Sequence, residues 1–228
     1  MWRPGWFRAG RDAGPMTTTT DRQAPNEGLR RPVVVAVTLL AGAALLAVSL
    51  GTEPGESSFY WLTLALAAVW SVGAVVSGPL FLGSAYRPVL LGSAVGLGLG
   101  LGFVLGGLVA RLIPGIREYV SAVLEFANHG SLAVVVLITL INGLAEELFF
   151  RGALYTALGN RHPATISTVI YVAAVMASGN PMLGFAAILL GAVCAYERRM
   201  TGGVLAPMLT HFFWGLIMVL ALPPIFGV

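Results

Sequence analysis

Seven stretches of the chain, at about 33–51, 58–78, 88–110, 131–158, 163–179, 181–197 and 203–226, are mostly apolar and separated by short breaks rich in Gly, Pro and charge. A helix needs about 20 such residues to cross the hydrocarbon core of a bilayer. Backbone N–H and C=O groups find no water there, so each segment must satisfy them internally, which a helix does. Composition agrees: 57% of the 228 residues are hydrophobic and 10% charged, where a soluble domain carries about 25% charged. The expected fold is therefore all-α, a polytopic membrane helix bundle of about seven transmembrane helices (seven to eight).

The tail at 1–31 is rich in Arg, Gly, Pro and Thr without apolar periodicity, and is expected to be disordered and cytoplasmic, with 32–228 forming the membrane domain. The first apolar run starts only after Arg30–Arg31, is long enough to span and has no small-residue cleavage site, so a signal peptide is not expected. All thirteen basic residues are Arg, as in GC-rich bacterial genes. Arg30, Arg31, Arg87, Arg161, Arg198 and Arg199 fall in alternate breaks. Arginine-rich loops stay in the cytoplasm, so the N-terminus is expected inside a bacterial inner membrane. The basic pI serves that orientation, and no nucleic-acid partner is expected. Between the third and fourth spans, "IREYVSAVLEFA" (Ile116 to Ala127) has the mixed pattern of a helix lying in the interface. Gly92, Gly96 and Gly100 recur every four residues in the third span, which predicts close helix packing. The fifth and sixth spans are short and broken by "SGNP", as in a buried hairpin.

Charge inside a span costs about 2.5–3.5 kcal/mol per group on insertion scales, so such groups are paired, inward and functional. "NGLAEELFFRGALYTAL" places Glu146, Glu147 and Arg151 in the fourth span. Glu147 and Arg151 are four residues apart and share a helix face, which predicts an ion pair. Glu146 is turned about 100° away, leaving one carboxylate without a counter-charge, suited to general acid–base work or to a hydrogen bond with a neighbouring helix. His211 lies roughly 12 Å in from the start of the last span, and Arg151 and Glu146 roughly 10 and 18 Å from the corresponding end of the fourth. Glu146 and His211 are thus the candidate catalytic pair, with Pro207 expected to kink the helix beside them. His129 and His162 are weaker candidates, the lone Cys194 excludes an internal disulfide and a thiolate-rich metal site, and "ERRMTGG" (Glu197 to Gly203) reads as a basic turn touching lipid head groups.

"AEELFFRGALYTAL", followed by "ATISTVIYVAAVMA" and "RRMTGGVLAPMLTHFFWG", resembles the CPBP family of CAAX prenyl proteases and bacteriocin-processing enzymes, also called Abi, over roughly 85–226. The resemblance implies an intramembrane peptidase in which Glu146 activates water, Glu147 and Arg151 complete the EExxxR motif, and His211 is the histidine of the third motif. It also marks two substitutions: Val175 stands where the second motif, begun by Tyr171, has His, and Gly215 where the third has Asn. Thr168, Thr210, Asn180 or water are the candidate stand-ins. The family name implies a divalent metal, but one His and two Glu fall short of the usual three free ligands, so no metal site is expected. The expected partners are the bilayer and a peptide or membrane-protein substrate. The alternative is an impaired pseudoprotease serving as a scaffold or peptide-binding immunity protein.

Overall fold

The computed structural model describes residues 25–83, 87–129 and 131–228, and among them every regular element is helical. The order is α1 (Pro25–Leu50), α2 (Ser57–Ser77), α3 (Pro88–Ala110), α4 (Ile116–Asn128), α5 (Leu132–Glu147), a π-helical segment (Leu148–Leu154), α6 (Tyr155–Leu158), α7 (Pro163–Met176), α8 (Pro181–Thr201) and α9 (Leu205–Phe226). Six rods are long and apolar enough to span a membrane, counting α5 to α6 as one rod of 27 residues. The protein is a polytopic helical membrane bundle. The expected seventh span, α7, has only 14 residues, about 21 Å at 1.5 Å per residue, and packs mainly against α8. Conversely α8, expected to be short, reaches 21 residues because it continues through Glu197 and Arg198 to Thr201.

Residues 1–24 of the expected tail lie outside the described residues, while 25–31, assigned to that tail, already belong to α1. Proline punctuates the breaks: Pro88, Pro163 and Pro181 each open a helix at its first turn, where the missing N–H costs no bond and φ is already helical. Asn180 caps α8 by accepting from the N–H groups of Met182 and Leu183 at 2.9 and 3.4 Å.

The centre of the bundle is α9. The glycine stripe of α3 seats on it: a Cβ on Gly92 would stand 2.4 Å from the Ala206 carbonyl oxygen, and one on Gly96 2.7 Å from that of Thr210. The backbones meet so closely that no side chain fits between, as the spacing predicts. The connector after α2 crosses the start of α9, where Phe81 and Leu82 carbonyls accept from the Val204 and Leu205 N–H groups at 2.8 and 3.1 Å. That contact satisfies amides which a helix start leaves without partners. On the other side, α2 and the π segment bury Trp70 against Phe149 and Phe150, at ring separations of 4.7 and 5.1 Å.

Candidate active site

Helix α5 turns Gly143 and Glu147 towards α9, Asn142 towards α2, where it donates to the Thr63 carbonyl at 3.1 Å, and Glu146 towards α7, and the chain then widens into the π segment. A π stretch inside an α-rod is rare and disturbs the backbone ladder. Here side chains engage its carbonyls: Arg198 Nε donates to the Arg151 carbonyl at 2.8 Å, and Thr156 Oγ1 to that of Gly152 at 2.6 Å. The sequence pattern over 131–158 carries no sign of this break, because apolar residues fill both faces.

The predicted ion pair forms. Arg151 Nη1 lies 3.1 Å from Glu147 Oε1, with both side chains fully buried. The guanidinium also donates through Nη2 to the Gly191 carbonyl at 3.0 Å and sits 4.6 Å from the centre of the Tyr171 ring. This one group thus ties the π segment to α7 and α8.

His211 is brought to α5 as the depth argument expects, but its partner differs. Its Nδ1 lies 3.0 Å from Glu147 Oε1, the same oxygen that receives Arg151. The ring can approach because residue 143 is glycine: a Cβ there would stand 2.8 Å from His211 Cδ2. Glu146, expected to lack a counter-charge, takes a hydrogen bond from a neighbouring helix: it accepts from the Tyr171 hydroxyl of α7 at 2.8 Å through Oε2. Glu147 is therefore more than the counter-charge of Arg151. It also orients the imidazole: with His211 Nδ1 against Glu147 Oε1, Nε2 is the ring nitrogen left free of that contact. Sequence spacing gave Glu147 to Arg151 alone, since a pair 64 positions apart has no signature in periodicity.

Other assignments change. Pro207 is the third residue of α9, in the first turn, where no intrahelical N–H bond is lost; the interior prolines are Pro223 and Pro224. The "ERR" of the supposed basic turn is the buried end of α8. Glu197 accepts from the Thr210 hydroxyl at 2.9 Å, and the Arg198 guanidinium stacks 4.9 Å from the Tyr155 ring, leaving Arg199 exposed. Thr210, Thr168 and Asn180 do not fill the substituted motif positions: Thr210 bonds Glu197 and the Gly92 carbonyl, Thr168 the Ala164 and Gly191 carbonyls, and Asn180 caps α8 and holds the Tyr119 carbonyl. Val175 packs beside the apolar core, and Gly215 faces Thr139, whose Cγ2 would lie 3.8 Å from a Cβ. His129 Nδ1 contacts the carbonyl of Glu125 in its own helix, and Cys194 is buried.

These donors do not suit a divalent metal. Glu147 Oε1 already serves a guanidinium and an imidazole, and an arginine 3.1 Å away repels a cation. Among the described residues no three His, Cys, Asp or Glu side chains are placed to share an ion.

No curated protein and no solved structure matches the chain. Residues 128–217, the stretch that carries Glu146, Glu147, Arg151, Tyr171 and His211, match the model of the family described as Type II CAAX prenyl endopeptidase Rce1-like, in agreement with the CPBP resemblance of the motif residues.

Proposed function

We propose that the protein is an intramembrane endopeptidase in which Glu146 and His211 act on one water. The observation that carries this reading is Glu147 Oε1 receiving Arg151 and His211 together, which leaves the adjacent Glu146 with a single hydroxyl partner. In the reaction Glu146 takes a proton from the water as its oxygen adds to the scissile carbonyl, and later returns it to the leaving amine. His211, fixed by Glu147, presents Nε2 to the water and accepts a hydrogen bond from its second O–H, holding the oxygen in place while Glu146 takes the other proton. Tyr171 holds Glu146 in place. The substrate is a peptide or membrane-protein segment entering from the cytoplasmic side of a bacterial inner membrane, with the N-terminus of the chain cytoplasmic. Arg87, Arg161 and Arg199 support that orientation.

A second reading is favoured by one observation: Val175 lies in apolar packing and Gly215 offers no polar atom where the family has His and Asn. On that reading the protein is a catalytically impaired scaffold that binds a peptide or membrane protein. The deciding experiment compares purified wild type with Glu146→Gln on a library of membrane-anchored peptides, products being read by mass spectrometry. Cleavage by the wild type and loss of about 10²-fold or more in the variant supports the peptidase. No cleavage by either, with a peptide still captured by both, supports the scaffold.

A further inference from the structure

The last turns of α4 and α9 meet around a cavity of about 280 Å³, lined by Ala127 and Asn128, by Leu132 at the start of α5, and by Val219, Leu220 and the Pro223–Pro224 pair. That is room for several heavy atoms, since a water molecule takes about 30 Å³ in the liquid. The sequence leaves backbone acceptors of the cavity's lining residues short of donors. In a helix the Val219 carbonyl accepts from residue 223 and the Leu220 carbonyl from residue 224, and both positions are proline, which has no N–H. For Leu220 the tighter bond from residue 223 is lost as well. Across the cavity, Ala127 and Asn128 stand in the last turn of α4, where carbonyls have no intrahelical donor. Neither helix carries a basic residue in its last turn to offset the negative end of its dipole.

Acceptors without donors call for a cation with several N–H groups. Two features favour a lipid over a free ion. Leu132 and Leu220, at 55% and 47% exposure, present apolar surface beside the cavity. The exposed Arg111, which donates to the Ile225 carbonyl at 3.5 Å, places a guanidinium at the residue after Pro224, and guanidinium groups pair well with phosphates. We propose that this cavity binds the head group of a phospholipid with a primary ammonium. The ammonium donates to the Val219 and Leu220 carbonyls and the Asn128 side-chain oxygen, and the phosphate meets Arg111.

The test uses the full chain in nanodiscs containing phosphatidylethanolamine and phosphatidylcholine of identical acyl chains, with retained lipid counted by native mass spectrometry. Choline bears the same charge but no N–H, so the comparison isolates hydrogen bonding from charge. The expected result is about a tenfold preference for the ethanolamine lipid. The Pro223→Ala/Pro224→Ala variant supplies the missing N–H donors internally and should reduce that preference to about twofold or less, while leaving the unfolding temperature in pure phosphatidylcholine unchanged or raised. Asn128→Leu, at an exposed site, should weaken the preference without harming the fold. Equal retention of the two lipids by the wild type, a preference that survives both variants, or displacement of the ethanolamine lipid by sodium or potassium chloride alone would each overturn the proposal.

Discussion

Replacing Arg151 by Met keeps most of the volume and apolar stem of the side chain, so no large cavity opens and the effect isolates the guanidinium. Three contacts go: the bond to Glu147 Oε1 at 3.1 Å, the bond to the Gly191 carbonyl at 3.0 Å and the stacking on Tyr171 at 4.6 Å. The Gly191 carbonyl is only partly stranded, because the Thr168 hydroxyl lies 3.2 Å away and shares its one proton between it and the Ala164 carbonyl at 2.8 Å. Glu147 fares worse. It is fully buried, its Oε2 has no partner among the described residues, and only His211 remains to offset its charge. Breaking one side of a buried ion pair costs about 3–5 kcal/mol, most of it the uncompensated charge. At about 2–4 °C per kcal/mol for a chain of this length, the unfolding temperature of purified protein should fall by about 6–20 °C. Adding Glu147→Gln removes the stranded charge and should recover about half of the loss, as a double-mutant cycle would read it. An Arg151→Met protein within 2 °C or so of wild type, or a double variant no more stable than the single, would refute charge compensation as the reason for Arg151.

Gly143→Ala should push the His211 ring away from Glu147, since the new methyl would meet Cδ2 at 2.8 Å and Nε2 at 3.1 Å; peptide cleavage should fall at least about tenfold with about 1–3 kcal/mol lost in thermal unfolding. Tyr171→Phe keeps the ring edge-on to Phe150 at 4.9 Å but removes the hydroxyl from Glu146; kcat should drop by about tenfold, with about 1–3 kcal/mol lost in thermal unfolding because the carboxyl loses its one partner. Gly92→Val collides with the Ala206 backbone at 2.4 Å, where no side chain can yield, and should prevent α3 from seating on α9, read as loss of a monodisperse peak in size-exclusion chromatography. Gly98→Ala, with nothing within 4 Å, should instead stabilise α3 by up to about 1 kcal/mol in the same unfolding assay.

The spans, the interfacial helix and the glycine stripe were legible because each is a local pattern with a single physical reading: apolar length, mixed polarity at helical spacing, and small residues every four positions. The Glu147–Arg151 pair was legible for the same reason, being one helical turn long. The end of α8 was misread because "ERR" followed by "GG" has the composition of a turn, and composition does not reveal that the Thr210 hydroxyl stands ready to donate to Glu197 and the Arg151 carbonyl to accept from Arg198. The π segment was invisible because its stabilising bonds to backbone carbonyls come partly from another helix.

By itself the sequence determined that this chain is a helical membrane bundle with few ionisable groups in its spans, because hydrocarbon tolerates no other backbone and few uncompensated charges. It also determined which residues compete for the catalytic role. Only the tertiary structure decided how they are shared: His211 with Glu147, Tyr171 with Glu146, Val175 in the apolar packing. Those pairings join residues 25 to 64 positions apart, and their choice rests on a few ångströms of helix approach, set by Gly143 beneath the imidazole and the glycine stripe beneath α9.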